Sequence, residues 1–351
     1  MNLKTIAVMA ALGAGLLIPA WADVLDVSPT LEQRIPPDVL LPDQHHFVTL
    51  NVENDMFGGN SDRHYTSGVR LTYFDVLDHP PAWAEALARA LPGFDVTDKT
   101  GVAYSIGQNI YTPDNIRVAH PAPGQRPYAG YLYGSAAFST LVGDHVDDYQ
   151  VTLGVVGPSA LGEQAQTFVH RIVGSPKPQG WDAYQLHDEP ALTLMWQRRY
   201  PDLLTWEDAD WHLGVEPRYG VTLGNVYTYG SAGATVQFGP ASSRWQDLPP
   251  LVAPSLSGSG FFATPKGQPF SWYVFAGVEG RAVARNIFLD GNTFQSSPHV
   301  EKRILVGDAT AGLATTFGRV RVTYTVNHRS REYRGQPKPD TYGAVTLGYR
   351  F

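Results

Sequence analysis

One histidine and a few oxygen-bearing side chains are the groups in this 351-residue chain whose spacing could support hydrolysis. Glu163, Gln166 and His170 stand three and four residues apart, between Gly157-Pro158-Ser159 and Gly174. If residues 160–173 form a helix of about four turns, the three share one face. Ser159 suits the N-cap and Gly174 the left-handed residue that ends the helix. An imidazole titrates near neutral pH and can take a proton from water. Gln166, one turn earlier, could hold a ring nitrogen or a water. The competing reading is a solvated polar stripe on a surface helix.

Three further clusters carry usable chemistry. Glu53-Asn54-Asp55 precedes a hairpin tip and Ser61-Asp62-Arg63-His64-Tyr65-Thr66-Ser67-Gly68 follows it. Antiparallel neighbours would bring Asn54, Asp55 and Thr66 together, and their oxygens are hard ligands of the kind Ca²⁺ takes. The same residue types also cap hairpins with no metal present. Next, Gln108-Asn109-Ile110-Tyr111-Thr112-Pro113 leads into a loop that ends at Gln125-Arg126-Pro127-Tyr128-Ala129-Gly130. Arg126 could pair with a phosphate through its guanidinium, or stand in turn-forming sequence beside an aromatic belt. Last, His328-Arg329-Ser330 would admit a serine nucleophile, but no third group is evident to orient the histidine.

These groups need a scaffold, and strand periodicity supplies one. In residues 341–351, Val345, Leu347, Tyr349 and Phe351 fall on one face and Ala344, Thr346, Gly348 and Arg350 on the other. An apolar, aromatic-ended face opposite a small and polar one suits a strand between lipid and a barrel lumen. An edge strand of a soluble sandwich alternates too. Alternation and Gly/Pro/Asp punctuation predict strands at 46–56, 66–76, 101–111, 130–140, 148–156, 190–200, 211–222, 228–238, 270–282, 303–316, 318–328 and 342–351. That is an even count, as single-chain bacterial outer-membrane barrels have. The expected fold is all-β: a twelve-stranded antiparallel transmembrane β-barrel over 45–351, with a short extracellular-loop helix near 160–173. Connections after odd-numbered strands should face outward, which puts the hairpin cluster and the helix on the outer side.

The rest of the chain is consistent with export. Residues 1–22 contain Lys4, an apolar run over 6–19 and Ala20-Trp21-Ala22, the pattern of a removed signal peptide. The run is too short to span a bilayer as a helix. Residues 23–44 are Pro-rich and read as an extended lead-in. Residues 83–91 read as a short amphipathic helix, and 239–269 as a long Gly/Ser/Pro-rich connection. The chain has 35 glycines, 18 tyrosines and 8 tryptophans against 17% charged residues, which fits a barrel with aromatic girdles. It has no cysteine, so disulfides and thiolate metal sites are excluded. A net charge of −7 with no basic stripe argues against a nucleic-acid partner.

Taken in order, the clusters resemble a family, the outer-membrane lipid A 3′-O-deacylases of the LpxR type. The matching residues are Glu53-Asn54-Asp55, Tyr65-Thr66-x-Gly68, Gln108-x-Ile110-Tyr111-x-Pro113, Arg126-x-Tyr128-Ala129-Gly130, Gly154-Val155-Val156-Gly157-Pro158, Gln166-x-x-x-His170-Arg171-Ile172 and Val274-Phe275-Ala276-Gly277-Val278-Glu279. The resemblance covers nearly all of the chain from Phe47 to Phe351. It implies a twelve-stranded outer-membrane barrel that hydrolyses the ester of the 3′-acyloxyacyl group of lipid A in lipopolysaccharide and depends on Ca²⁺. Carried onto this sequence, His170 activates water, Asp55 and Thr66 hold the metal, and Asn54 and Gln166 orient groups around it. Two departures stand out. The family has an acidic residue six positions after the histidine, where this chain has Pro176; Glu163, Asp182 and Glu189 are the candidates to replace it. A lysine expected in the loop after Pro113 is not evident, and Arg117 lies nearest. Arg126 and Arg117 are thus the candidate contacts to the lipid phosphates. The remaining alternatives are a non-enzymatic barrel, either a pore or an adhesion protein, and a serine-based lipase.

Overall fold

Strands that alternate apolar and polar residues must bury one set and hydrate or pair the other, and closing the sheet on itself does both without leaving an edge. The computed structural model describes residues 29–36, 39, 45–58, 64–76, 82, 85–86, 96–97, 99–249 and 270–351. Its strands are β1 (His46–Asn54), β2 (His64–Asp75), β3 (Thr100–Thr112), β4 (Ala129–Val142), β5 (His145–Val156), β6 (Glu189–Arg199), β7 (Leu204–Glu207), β8 (Trp211–Gly224), β9 (Tyr227–Pro240), β10 (Phe270–Asn286), β11 (Leu305–Phe317), β12 (Val320–Arg329) and β13 (Asp340–Arg350). Neighbours pair antiparallel, β1 pairs with β13, and a β6–β8 pairing closes the cylinder. All twelve predicted strands are present, with ends shifted by a few residues.

The extra segment, β7, does not add a barrel position. It pairs with His212–Val215 of β8, below the stretch of β8 that pairs with β6. It therefore continues the β6 edge after an interruption at 200–203, where Asp202 has a φ of 53°. The result is a closed twelve-strand antiparallel β-barrel.

The pleat inverts the usual inside-out arrangement. Leu50, Val69, Leu71, Ile106, Leu153, Leu194, Leu223, Val278 and Leu347 are exposed on the outer wall, while Thr72, Ser105, Thr152, Glu216, Glu279 and Thr323 are buried in the lumen. Such an apolar exterior is what lipid demands. The lumen charges are paired: Asp308 accepts from Arg281 at 2.9 Å and from Arg329 at 2.7 Å, Glu216 from Arg218 at 2.9 Å, and Asp148 from Arg199 at 2.8 Å. Removing one partner of such a pair would leave an uncompensated buried charge.

Inserted segments stand at both ends of the lumen. At the end holding the longer loops, a helical turn α3 (Ile287–Asp290) after β10 inserts Ile287, Phe288 and Leu289, all buried. Phe288 stacks on Tyr111 at 3.9 Å and lies within 6 Å of Tyr131 and Tyr227. At the opposite end, the stretch expected to be an extended lead-in includes one helical turn, α1 (Leu31–Arg34), capped by Thr30. The Leu31 and Glu32 amides bond Asp144 and Gly143 of the β4–β5 turn. The residues read as signal peptide (1–22), most of those read as the 83–91 helix, and 250–269 of the long connection lie outside the described residues.

The helix after β5 is α2 (Gly162–Val173), preceded by a 3₁₀ turn over Pro158–Ala160. Gly174 ends it with a φ of 72°, as expected. The start differs. Ser159 does not cap it; its hydroxyl and amide both bond Asp188. Leu161, at a left-handed φ of 58°, turns the chain from the 3₁₀ turn into α2. Asp188 lies 29 residues further on, so no local pattern could show that it competes for Ser159.

Glu332, in the loop after β12, allows a pH test of the filled end. Burial opposes its charge, yet the guanidinium groups of Arg329, Arg126 and Arg281 hold its carboxyl below the ordinary value of 4.5. The folded state therefore binds this proton less readily than the unfolded one. The stabilisation is complete above that ordinary value and is lost as pH falls through the lowered one. The gap in melting temperature between wild type and Glu332→Gln, followed by the heat-modifiable mobility of the folded barrel, should narrow as pH drops below 4.5.

Candidate active site on the outer wall

The site begins with a row across the ladder. Asn54 pairs with Ser67, Ser67 with Ile110, and Ile110 with Gly130. Asn54 shares parity with exposed Leu50, Ser67 with exposed Val69 and Leu71, and Ile110 with exposed Tyr104 and Ile106. The row therefore faces outward, not into the lumen.

Helix α2 lies over this row. A Cβ on Gly130 would come within 3.0 Å of the Gly162 nitrogen, and one on Gly162 within 2.9 Å of the Gly130 Cα. The two glycines let helix and wall touch backbone to backbone. One turn on, Ala165 packs on the cluster of Ile110, Ile116, Tyr128 and Trp181. Gln108 of β3 donates to the Ala160 carbonyl at 2.6 Å. Helix α2 thus lies against both β3 and β4.

The buried residues of α2 are Gly162, Gln166 and His170, a stripe with a spacing of four. The exposed side carries Leu161, Phe168, Val169, Ile172 and Val173. An ordinary surface helix does the reverse. This helix turns its polar stripe to the barrel and its apolar side away, which makes sense beside acyl chains. The solvated-stripe reading is thereby replaced: the polar stripe is covered.

Each buried polar residue is held by a group the sequence reading did not name. Gln166 is 2% exposed, and its Oε1 accepts from the Trp181 indole at 2.9 Å. Its amide nitrogen has no hydrogen-bond partner among the described residues. The His170 ring is buried, with Nδ1 2.6 Å from the Pro176 carbonyl oxygen. A carbonyl has no proton to give, so Nδ1 carries a hydrogen, and in the neutral ring the lone pair is then on Nε2. Pro176, read as a loss because it lacks an acidic side chain, supplies an acceptor through its backbone. Of the proposed substitutes, Glu189 is engaged with Asn225, Asn292 and the Thr293 amide.

Asp55 opens a 3₁₀ turn directly after β1 and is 2% exposed. Thr66 sits at a bulge in β2, between the Tyr65–Tyr111 and Ser67–Ile110 pairs. Its backbone therefore lies one position past the Asn54–Ser67 pair, beside the start of the Asp55 turn. The Thr66 side chain is outside the described residues.

The two arginines part company. Arg117 is exposed on the segment whose Ile116 packs against Trp181 and whose Ile116 carbonyl accepts from the Gln179 amide at 2.9 Å. It flanks the loop that follows α2. Arg126 is fully buried, faces Glu332 at 3.4 Å and lies 4.9 Å from the Tyr111 ring. It is a lumen ion, not a surface phosphate contact, because residues 126–128 have already turned in to start β4. The serine arrangement also fails. His328 bonds Thr341 of β13, whereas the Ser330 hydroxyl accepts from Gly307 of β11, so the two turn to opposite neighbours.

Comparison with known proteins agrees with this architecture. LpxR from Salmonella typhimurium is 24% identical over 87% of this chain and 100% of that one, with a TM-score of 0.71. The beta domain of the Bordetella autotransporter Brka covers 88% of this chain and 100% of its own at 12% identity, with a TM-score of 0.44. No curated protein sequence matches the chain. The family model described as outer membrane protein LpxR spans residues 7–351. With a match over nearly its whole length, and with the wall, helix and buried histidine described above, the chain belongs to the outer membrane protein LpxR family.

Proposed function

We propose that this protein is an outer-membrane lipid A 3′-O-deacylase that hydrolyses the ester of the 3′-acyloxyacyl group with a water activated by His170. The observation that carries the reading is the inverted α2: a histidine with one nitrogen fixed, covered on the barrel wall beneath an apolar helix face. A lipid substrate can reach such a site sideways from the bilayer. His170 lies eight residues past Gly162, about 12 Å along the axis. Asn54 lies three strands from Gly130, about 14 Å across the sheet. An axis running from β4 towards β1 would bring the imidazole towards Asn54 and Asp55.

In this mechanism the Nε2 lone pair accepts a proton as the water oxygen bonds to the ester carbonyl carbon. The bond from that carbon to the 3′ oxygen then breaks, and the imidazolium returns the proton to the leaving alkoxide. The products are the free acyloxyacyl acid and a 3′ hydroxyl. The free N–H groups of Gln166 are suited to donate to water or to the carbonyl oxygen. By residue type, Asp55 and Thr66, with the amide of Asn54, offer the oxygen donors that would suit Ca²⁺. A calcium ion held there would polarise the ester carbonyl as a Lewis acid. Arg117, which is exposed, would pair with a lipid phosphate. The site then faces the outer leaflet, and export requires the signal peptide over 1–22. The pore reading has the plugged lumen against it, since α3 and its tyrosines occupy the loop end.

Membranes containing the protein and Ca²⁺ should release the 3′-linked acyl pair, seen as a mass loss in the lipid A spectrum. His170→Ala should slow this by about 10²- to 10⁴-fold while the barrel stays heat-modifiable. Undiminished activity in that variant, or after EDTA, would overturn the mechanism. A second prediction tests the lipid-facing side of α2. Ile172→Arg should lower turnover of lipid A in membranes but leave cleavage of a short, soluble ester unchanged; an equal loss on both substrates would mean that the residue serves packing alone.

A further inference from the structure

At the barrel end opposite α2, a second group of side chains converges. His46 opens β1 and Asp75 closes β2, and the two are register partners. The His46 Nδ1 lies 2.9 Å from the Asp75 Oδ2. His45 precedes the strand, where its carbonyl accepts from the Val76 amide. Successive residues within a strand point to opposite faces. His45 escapes that rule because it stands outside β1, and its ring centroid lies 4.1 Å from that of His46, with the planes at 47°. One donor atom from each of His45, His46 and Asp75 lies within 4.8 Å of the others.

We infer that His45, His46 and Asp75 form a binding site for a borderline divalent cation of the Zn²⁺ type. Two imidazoles and a carboxylate are the donors such an ion takes, with a fourth position left for water. Nitrogen donors disfavour Ca²⁺ and Mg²⁺, so this site is chemically distinct from the oxygen cluster at Asp55. A tetrahedral ion needs donors roughly 3.3 Å apart. The His46–Asp75 pair is already that close, and the His45 ring, which makes no hydrogen bond among the described residues, is free to swing in.

The surroundings suit an ion. The Tyr73 hydroxyl lies 2.8 Å from the His46 Nδ1 and 3.4 Å from the Asp75 Oδ2; with an ion on Nδ1 it would keep the Asp75 carboxylate as its partner and orient that ligand. The His46 side chain is 33% exposed and that of Asp75 is 9% exposed, so an ion can enter while the carboxylate stays largely dry. The bound ion would stand between Nδ1 and Oδ2. It would tie the start of β1 to the end of β2 beside the β1–β13 seam, where the His46 amide donates to the Phe351 carbonyl.

The test uses untagged full-length protein folded in detergent, stripped with chelator and titrated with ZnCl₂ alone by calorimetry. One equivalent should bind. His45→Ala and Asp75→Asn should each weaken it at least about tenfold, whereas His170→Ala should titrate like wild type. Heat-modifiable mobility confirms that each variant is folded, and His45→Ala removes no hydrogen bond among the described residues. Cu²⁺ in place of zinc should show coupling to two imidazole nitrogens in its paramagnetic resonance spectrum. Absence of binding, an unchanged titration in His45→Ala, or loss in His170→Ala would each overturn the assignment.

Discussion

The contact between Gly130 and Gly162 is the point on which the outer-wall site turns. At that distance only backbone fits, so the helix can seat its first turn against β4. From this anchor a spacing of four carries Gln166 and His170 along the same buried line. A side chain at either glycine would lift the helix, and the stripe would meet water or lipid instead of the wall. Burial of the two polar residues is therefore a consequence of two missing Cβ atoms.

Lipid sets the sign of everything else. Since the exterior is apolar, polar side chains have two refuges, the lumen and the space under α2. In the lumen they neutralise one another in a series of pairs from Asp148 and Arg199 to Asp308, Arg329 and Glu332. Under α2 an indole bonds Gln166 and a carbonyl bonds the His170 Nδ1. Paired charges are poor catalysts because each is spoken for. The imidazole under α2 has Nδ1 fixed by a carbonyl, and the neutral ring then has the tautomer that the proposed general-base role needs.

Several features were legible in order of residues because they depend on local periodicity. The twelve strands follow from apolar residues at every second position, and α2 from the spacing of Glu163, Gln166 and His170 closed by Gly174. Features set by distant partners were not legible. Asp188 withdraws Ser159 from capping, Glu332 draws Arg126 into the lumen, and Trp181 secures Gln166. The short β7 escaped because a four-residue exposed segment has no pattern of its own beyond the interruption at Asp202.

What the amino-acid order determined by itself was the barrel, its number of strands, and which residues could share a helix face, since each rests on a repeat of two or of three to four along the chain. What only the tertiary structure decided was which side of that helix is covered and what holds its polar groups. Pro176 makes the difference plain. As a side chain it removes an acid, but as a backbone carbonyl 2.6 Å from the His170 Nδ1 it holds that ring. Every residue carries such a carbonyl, so its use cannot be read from residue type and depends on where the folded chain points it.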